Sequence, residues 1–211
     1  MSDHDDFAFE PMPGLPALPP KGEQLLWQGR PETLALAREA YGLTWIAGYF
    51  VLIVGWRASV GFADAGMAGA LAFGIPYAVL GALGCAVVLG IAWVQARGTV
   101  YTVTTARVVM RIGAALPVTL NLPYRQVGSA SLALRKSGTG TIALHTIGDT
   151  RLSWLVCWPH VRPWHLRQPE PALRCIPDAA RVAKLLAEAA ETRLSQLVVT
   201  RAPHPVAIAA E

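Results

Sequence analysis

The sequence predicts an α+β membrane protein: a two-helix transmembrane hairpin, then an antiparallel β-sandwich or small barrel, then a C-terminal amphipathic helix. Three observations carry this prediction. Residues 41–96 hold only two charged side chains, Arg57 and Asp64. Short segments between residues 99 and 158 are rich in β-branched and alternating side chains and are separated by turn residues. From Asp178 onward, apolar residues recur with helical spacing.

Composition narrows the class of protein before any motif is considered. The chain has 211 residues, of which 53% are apolar and only 15% are charged. Soluble domains carry about a quarter charged residues, so the shortage of charge is the unusual feature. This composition disfavours a disordered, coiled-coil or fibrous protein. Three cysteines are too few and odd in number for a disulfide scaffold.

The first 40 residues form a separate region, predicted as an extended, acidic and proline-rich arm. They contain three basic and seven acidic side chains and no basic stretch followed by an apolar one. We therefore expect no cleavable signal peptide. The arm is either a disordered tail or a segment that docks on its own domain or on a partner.

Residues 41–96 contain two predicted membrane spans, at about 43–62 and 70–94. About 20 apolar residues cross the hydrocarbon core, and the short glycine-containing connection requires the spans to run antiparallel. The alternative is a pair of buried helices in a soluble core. Basic residues flank the hairpin on one side, so both termini are expected in the cytoplasm; these residues are Arg30, Arg38, Arg97, Arg107 and Arg111.

Small residues recur every four positions along the second span and predict a helix-packing face. The face consists of Gly66, Ala70, Gly74, Ala78, Ala82, Ala86 and Gly90. Its partner is the first span, through Gly55 and Ser59, or a second copy, or a client helix. The alternative is that a span this rich in Gly and Ala shows such a repeat by chance. Arg57 either extends toward the membrane surface or pairs with Asp64 or a client carboxylate.

Residues 97–195 are predicted as a cytoplasmic domain, and 196–211 as a tail. Strands are predicted at 99–105, 107–112, 116–122, 127–135, 141–147 and 151–158, with a hairpin turn at 136–140. Asp178 is a plausible N-cap for the helix that follows. Val182, Leu185, Leu186 and Ala189 form its apolar face.

The domain is strongly basic, with ten basic and two acidic side chains between residues 97 and 174. This excess of positive charge predicts a surface that faces anionic lipid or a protein partner. No nucleic-acid motif is visible. The basic candidates are Arg111, Arg125, Arg135 and Lys136. A tryptophan-rich stretch adds Trp158, His160, Arg162 and Trp164. The alternative is that the charged side chains are ordinary solvent-exposed residues and that the tryptophans cover the core of the domain.

No catalytic, metal-binding or cofactor-binding residues are predicted. The histidines and cysteines do not match a zinc site, and the sequence has no nucleotide-binding or nucleophile-elbow motif. Neither span contains a histidine, which argues against a pigment-bearing subunit. We therefore expect a protein that is not an enzyme.

The outline of a small β-module closed by one helix is that of a pleckstrin-homology-like (PH-like) domain. The segment Tyr-Thr-Val-Thr-Thr-Ala-Arg-Val-Val, starting at Tyr101, resembles the opening of bacterial PH-like domains in membrane proteins. Longer segments resemble the photosynthetic complex assembly proteins of purple bacteria, of the PuhB type. These are the segments 4–11, 14–16, 22–31, 158–164, 169–174 and 176–180.

This resemblance implies a role in assembling the reaction centre with its core light-harvesting antenna. It also implies an intracytoplasmic, bacterial inner-membrane location and self-association. The alternative function is a membrane-anchored PH-like module that binds anionic lipid or another membrane-protein partner.

Overall fold

The computed structural model describes residues 14–15, 17–20, 22–113, 117–148 and 152–200. The first part of the predicted N-terminal arm and the predicted tail beyond residue 200 lie outside the described residues.

A single long apolar helix, α2 (Leu43–Gly98), dominates the first half of the chain. Within the described residues, it is the one helix long and apolar enough to cross a membrane. The mean hydropathy of its most apolar window is 2.2, and only 11% of that window is buried. The helix is interrupted at Ala65 and Gly66, where Gly66 has a φ of 61° that favours glycine. We call residues 43–64 the first arm and residues 67–98 the second arm.

A four-stranded antiparallel sheet follows directly from the end of α2. Its strands are β1 (Leu25–Gly29), β2 (Val100–Thr104), β3 (Arg107–Ile112) and β4 (Val118–Pro123), paired in the order β1-β2-β3-β4. Strand β2 is buried along its whole length, and alternate residues of β2 and β3 join the apolar core: Tyr101, Val103, Val108, Met110 and Ile112. A short 3-10 turn over Tyr124–Gln126 leads into the second sheet.

The second sheet has three antiparallel strands: β5 (Val127–Leu134), β6 (Gly140–Thr146) and β7 (Ala172–Ile176), in the order β5-β6-β7. The hairpin between β5 and β6 is the one that the sequence predicts. Helix α4 (Ala179–Thr200) starts immediately after Asp178 and packs Val182, Leu186 and Ala189 against both sheets. The apolar core therefore lies among the two sheets and one helix face, the arrangement expected of a PH-like domain.

Two predictions fail in this part of the molecule, and one strand is missed. The predicted extended arm is wrong for residues 25–39, which form β1 and the helix α1 (Thr33–Glu39). Strand β1 pairs with β2, a long-range contact that the acidic composition of the arm does not reveal. The strand predicted at 151–158 is wrong, because residues Trp154–Cys157 form a short helix, α3. Strand β7 was not predicted, because prolines surround it.

Candidate functional site

Glycines bring the two arms of α2 into direct contact near the interruption. The backbones of Gly61 and Gly69 touch, so neither position has room for a Cβ atom. Farther along, a Cβ atom on Gly74 would lie 3.3 Å from the Cβ of Ala58, and one on Gly81 would lie 2.7 Å from that of Phe50. Because the contacts pair earlier residues with progressively later ones, the two arms run antiparallel.

An apolar groove of about 330 Å³ opens between the arms. Its lining is almost entirely hydrocarbon, and it presents small residues of the second arm beside larger ones of the first. The lining residues are Ala47, Phe50, Val51, Val54, Ala78, Gly81, Ala82 and Cys85. A shallow groove floored by alanine and glycine allows another helix to approach closely.

The predicted packing face therefore divides among several environments. Gly66 lies at the interruption, Ala70 is half-buried, and Gly74 packs against the first arm. Ala78 and Ala82 line the groove, whereas Ala86 and Gly90 are exposed. The first arm does not use Gly55, where an added Cβ atom would meet nothing within 4 Å; it uses Phe50, Val54 and Ala58 instead.

The contacts at Gly61, Gly69 and Gly81 were missed by sequence reasoning. A usable signal was present, since Gly61 and Gly69 stand at equal distances on either side of Ala65.

Arg57 carries the positive charge of the first arm, and aromatic rings of the second arm hold it. Its guanidinium carbon lies 5.1 Å from the ring centroid of Phe73 and 5.4 Å from that of Tyr77. These distances allow cation–π attraction, which strengthens away from water. The Nε atom of Arg57 is buried without a hydrogen-bond partner among the described residues. The predicted pairing with Asp64 does not occur in the part of the chain that the structure describes.

A buried hydrogen-bond network joins the end of α2 to the domain. His160 lies at its centre: Nδ1 is 2.6 Å from the Tyr101 hydroxyl, and Nε2 is 3.1 Å from Oγ1 of Thr99. The Tyr101 hydroxyl also accepts the backbone N–H of Arg174. His160 thus shares one hydrogen bond with the Tyr101 hydroxyl and another with the Thr99 hydroxyl.

His160 is fully buried, so the prediction that it belongs to the partner or lipid surface is wrong. Its two ring nitrogens are both satisfied inside the protein. Burial, reinforced by the positive charge of Arg174, lowers the pKa of His160 to about 3. The imidazole is therefore neutral at physiological pH and acts as a fixed link between Thr99 and Tyr101.

Two aromatic residues extend this junction toward α1. The rings of Tyr41 and Trp158 meet edge to face, with centroids 5.2 Å apart. Arg174 donates from Nη1 to the carbonyl of Pro159 at 3.0 Å, while its Nε has no hydrogen-bond partner in the described part of the chain. Trp158 is thus a partly exposed packing residue where the domain contacts the segment between α1 and α2.

Glu170 fixes the loop that follows Trp158. It accepts from Arg162 and contacts Nδ1 of His145, both at 3.0 Å. Burial alone would raise the pKa of Glu170, but the hydrogen bonds from Arg162 and His145 outweigh it and hold the pKa below its usual value. Arg162 is therefore engaged in an intramolecular ion pair on the face where the sequence predicts partner contacts.

The remaining predicted surface residues lie on separate segments. Arg111 is half-buried on β3, Arg125 is exposed on the 3-10 turn, and Trp164 is 92% exposed in its loop. Arg135 pairs with Glu39 of α1, and its neighbour Lys136 is exposed. Arg135, Arg162 and Trp158 each contact a different part of the molecule. Those contacts do not join the three residues to one another.

Among residues 22–113, 117–148 and 152–200 and the few described before them, no group of three or more His, Cys, Asp or Glu side chains could hold a metal ion. The free thiols of Cys157 and Cys175 are buried, and burial raises the pKa of Cys175 to about 12.

Comparison with known proteins adds two findings. A family model described as "Bacterial PH domain" matches residues 43–190, a range that includes α2 as well as most of the domain. The chain is also 48% identical over 208 residues to a protein of Rhodobacter capsulatus named "Uncharacterized 23.7 kDa protein in puhA 5'region". That alignment covers 96% of this chain and 95% of the relative. No solved structure matches.

Proposed function

This chain belongs to the bacterial PH domain family, and from that premise we propose that it is a non-enzymatic assembly factor for the photosynthetic reaction centre and its core light-harvesting complex. The similarity to a protein encoded beside the photosynthesis gene puhA supports the photosynthetic context. The sequence segments that resemble purple-bacterial assembly proteins support the assembly role.

In the proposed arrangement, α2 forms a two-helix transmembrane hairpin in the bacterial inner membrane, with both termini and the PH-like domain in the cytoplasm. The first arm is about 33 Å long at 1.5 Å per residue, enough for a hydrocarbon core of about 30 Å. Antiparallel contacts between the arms support the hairpin. The exposed apolar side chains along both arms support lipid contact on their outer faces.

The groove between the arms is the observation that carries the proposed mechanism. A client transmembrane helix lies in the groove, packs against Ala78 and Ala82, and is held until it joins its partner subunits. Association in lipid depends on close packing, because lipid tails are as apolar as the helix surface. The network around His160 anchors Thr99, the residue directly after α2, and so supports a fixed connection between the hairpin and the domain.

Bulky substitutions in the groove test this mechanism. In Ala78→Leu/Ala82→Leu, the added side chains fill the groove without entering the contact between the arms. We expect the amount of assembled complex in membranes, measured by absorption spectroscopy, to fall several-fold while the variant accumulates normally. Ala72→Leu is the matched control, because Ala72 is exposed on the same arm outside the groove. Normal amounts of assembled complex in the double variant would contradict the mechanism.

A second candidate function is the binding of anionic lipid by the PH-like domain. It is favoured by the excess of basic side chains after α2 and by Arg97, whose guanidinium lies 4.7 Å from the ring centroid of Trp93 near the end of the helix. Trp and Arg at this position suit the headgroup level of a membrane. Each basic residue near an anionic leaflet contributes about 1 kcal/mol.

Lipid retention distinguishes the two candidates. The full chain is purified in mild detergent, and its bound phosphatidylglycerol and cardiolipin are quantified for the wild type and for Arg135→Ala/Lys136→Ala. Strong retention that the double variant loses favours the lipid function. Low lipid retention that is equal in the wild type and the double variant favours the binding of protein clients.

A further inference from the structure

Strand β5 is exposed along nearly its whole length. Seven of its eight residues, all but Val127, are exposed to solvent. It forms one edge of the three-stranded sheet, and within the described residues no strand pairs with its outer side. The neighbouring strand β6 is mostly buried. An edge strand of this length that carries no charge of its own is unusual, because such edges readily pair with other chains.

The hydrogen-bonding pattern shows which backbone groups face outward. Arg135 donates its N–H to the carbonyl of Thr139, across the turn between β5 and β6. Antiparallel strands alternate between residues that bond to their neighbour and residues that do not. Because Arg135 bonds to its neighbour across the turn, every second residue before it in the register also bonds to β6. The residues in between, Ala130, Leu132 and Leu134, direct their N–H and C=O groups away from β6.

The charges around β5 define what can bind there. The sequence has no charged residue between Arg125 and Arg135. An open depression of about 590 Å³ lies at the end of the strand, lined in part by Leu134, Lys136 and Glu39. Because Glu39 is paired with Arg135, and Lys136 is exposed with no ion pair among the described residues, Lys136 supplies positive charge at this end. Exposed Arg125 supplies it at the other.

A second copy of this chain would bring positive charges together in two of the registers that it could adopt on this edge. In an antiparallel pair centred on Ser131, Arg125 of one copy would lie opposite Ser137 of the other, beside Lys136. In a parallel pair, Arg125 would lie beside Arg125. Like charges that face each other across strands are destabilising.

We propose that the outer edge of β5 binds an extended segment of a partner protein, uncharged in its centre and carrying carboxylates at its ends. The segment adds an antiparallel strand to the sheet, with backbone hydrogen bonds to Ala130, Leu132 and Leu134. Its carboxylates lie near Arg125 and Lys136. This inference goes beyond the proposed function, because it concerns the domain and is independent of what lies in the groove between the arms.

Peptide binding to the full chain in detergent micelles tests the proposal. The probe is a fluorescent peptide of sequence Glu-Thr-Val-Thr-Val-Thr-Glu with blocked ends, followed by anisotropy. Ala130→Pro removes an outward N–H and leaves the ladder with β6 intact, which edge strands tolerate. We expect it to weaken binding about three- to tenfold. Ala130→Val keeps the N–H and is expected to bind within about twofold of the wild type.

Charge exchange tests the choice of partner chemistry. Replacing both glutamates of the peptide by lysines is expected to weaken binding about two- to fivefold, and so is Lys136→Glu in the protein. Combining the two changes restores part of the loss. N-methylation of alternate peptide amides removes the peptide's own donors and is expected to abolish binding, which keeps the test valid even if Ala130→Pro fails to fold.

Three results would overturn the proposal. The first is no saturable binding of the acidic peptide to the wild type. The second is binding unaffected by N-methylation or by charge exchange. The third is a concentration-dependent dimer of the peptide-free protein that Ala130→Pro abolishes, since the edge would then be occupied by a second copy.

Discussion

The arms of α2 and the PH-like domain bury their side chains in opposite ways. In the domain, large apolar residues such as Tyr101 and Leu173 are completely enclosed, and the central polar residue, His160, has partners for both ring nitrogens. Along the arms, most large apolar side chains are exposed, and the buried Nε of Arg57 has no partner among the described residues. The domain is therefore stabilised by its own contacts, whereas the arms leave most of their apolar surface outside any core that the described residues form.

Truncation of a core residue gives the largest expected contrast. Leu173→Ala removes a fully buried side chain and should lower the free energy of unfolding by about 2–5 kcal/mol. Leu83→Ala removes an equal side chain from the exposed face of the second arm and should change it by no more than about 0.5 kcal/mol. Urea unfolding in detergent, followed by tryptophan fluorescence, measures both. Equal losses would mean that the arms have a core of their own.

Glycine substitutions test the contact between the arms. Gly69→Ala places a Cβ atom against the carbonyl of Gly61 and should destabilise the protein by about 1–3 kcal/mol. Gly90→Ala is the control, since nothing lies within 4 Å of the added atom. The readout is the midpoint of thermal unfolding by circular dichroism in micelles. If Gly69→Ala unfolds at the wild-type temperature, the arms do not pack as described.

Acid should weaken the domain through His160. Its folded pKa is about 3, against about 6.5 when unfolded, so the unfolded chain takes up a proton first as the pH falls. The contribution of neutral His160 to the free energy of unfolding is fully present above pH 6.5. It is lost as the pH falls toward 3, at about 1.4 kcal/mol per pH unit. At pH 5 the loss is about 2 kcal/mol. His160→Gln should remove most of this slope between pH 6.5 and 5, whereas His165→Gln should retain it.

Loss of one buried hydrogen bond gives the smallest effect. The hydroxyl of Tyr124 donates to the carbonyl of Thr104 at 2.7 Å inside the domain. Tyr124→Phe should therefore cost about 1 kcal/mol of unfolding free energy. Tyr49→Phe, at an exposed position of the first arm, should be neutral in the same urea experiment. A neutral Tyr124→Phe would show that this bond contributes nothing beyond what water offers.

The two regions also differ in how far the sequence foretells them. The boundaries of β3 are those predicted, because a short apolar, β-branched segment that ends at Gly113 is a local signal in the sequence. The burial of His160 was not predictable, since it depends on Thr99 and Tyr101, about 60 positions away in the chain. Strands β1 and β7 also depend on pairing with strands that are far away in the chain. In the arms, the missing charge revealed the apolar helix, but only the packed structure divides its small residues between arm contact and groove.

Photo-crosslinking from the groove tests the central claim most directly. A photoreactive amino acid is placed at Ala82 in the groove or at Ala72 outside it, in cells assembling photosynthetic complexes, and the crosslinked proteins are identified by mass spectrometry. The proposed function predicts crosslinks from position 82 to subunits of the reaction centre or core antenna, and few or none from position 72. Crosslinks from position 82 to lipid alone, or equal crosslinks from both positions, would contradict it.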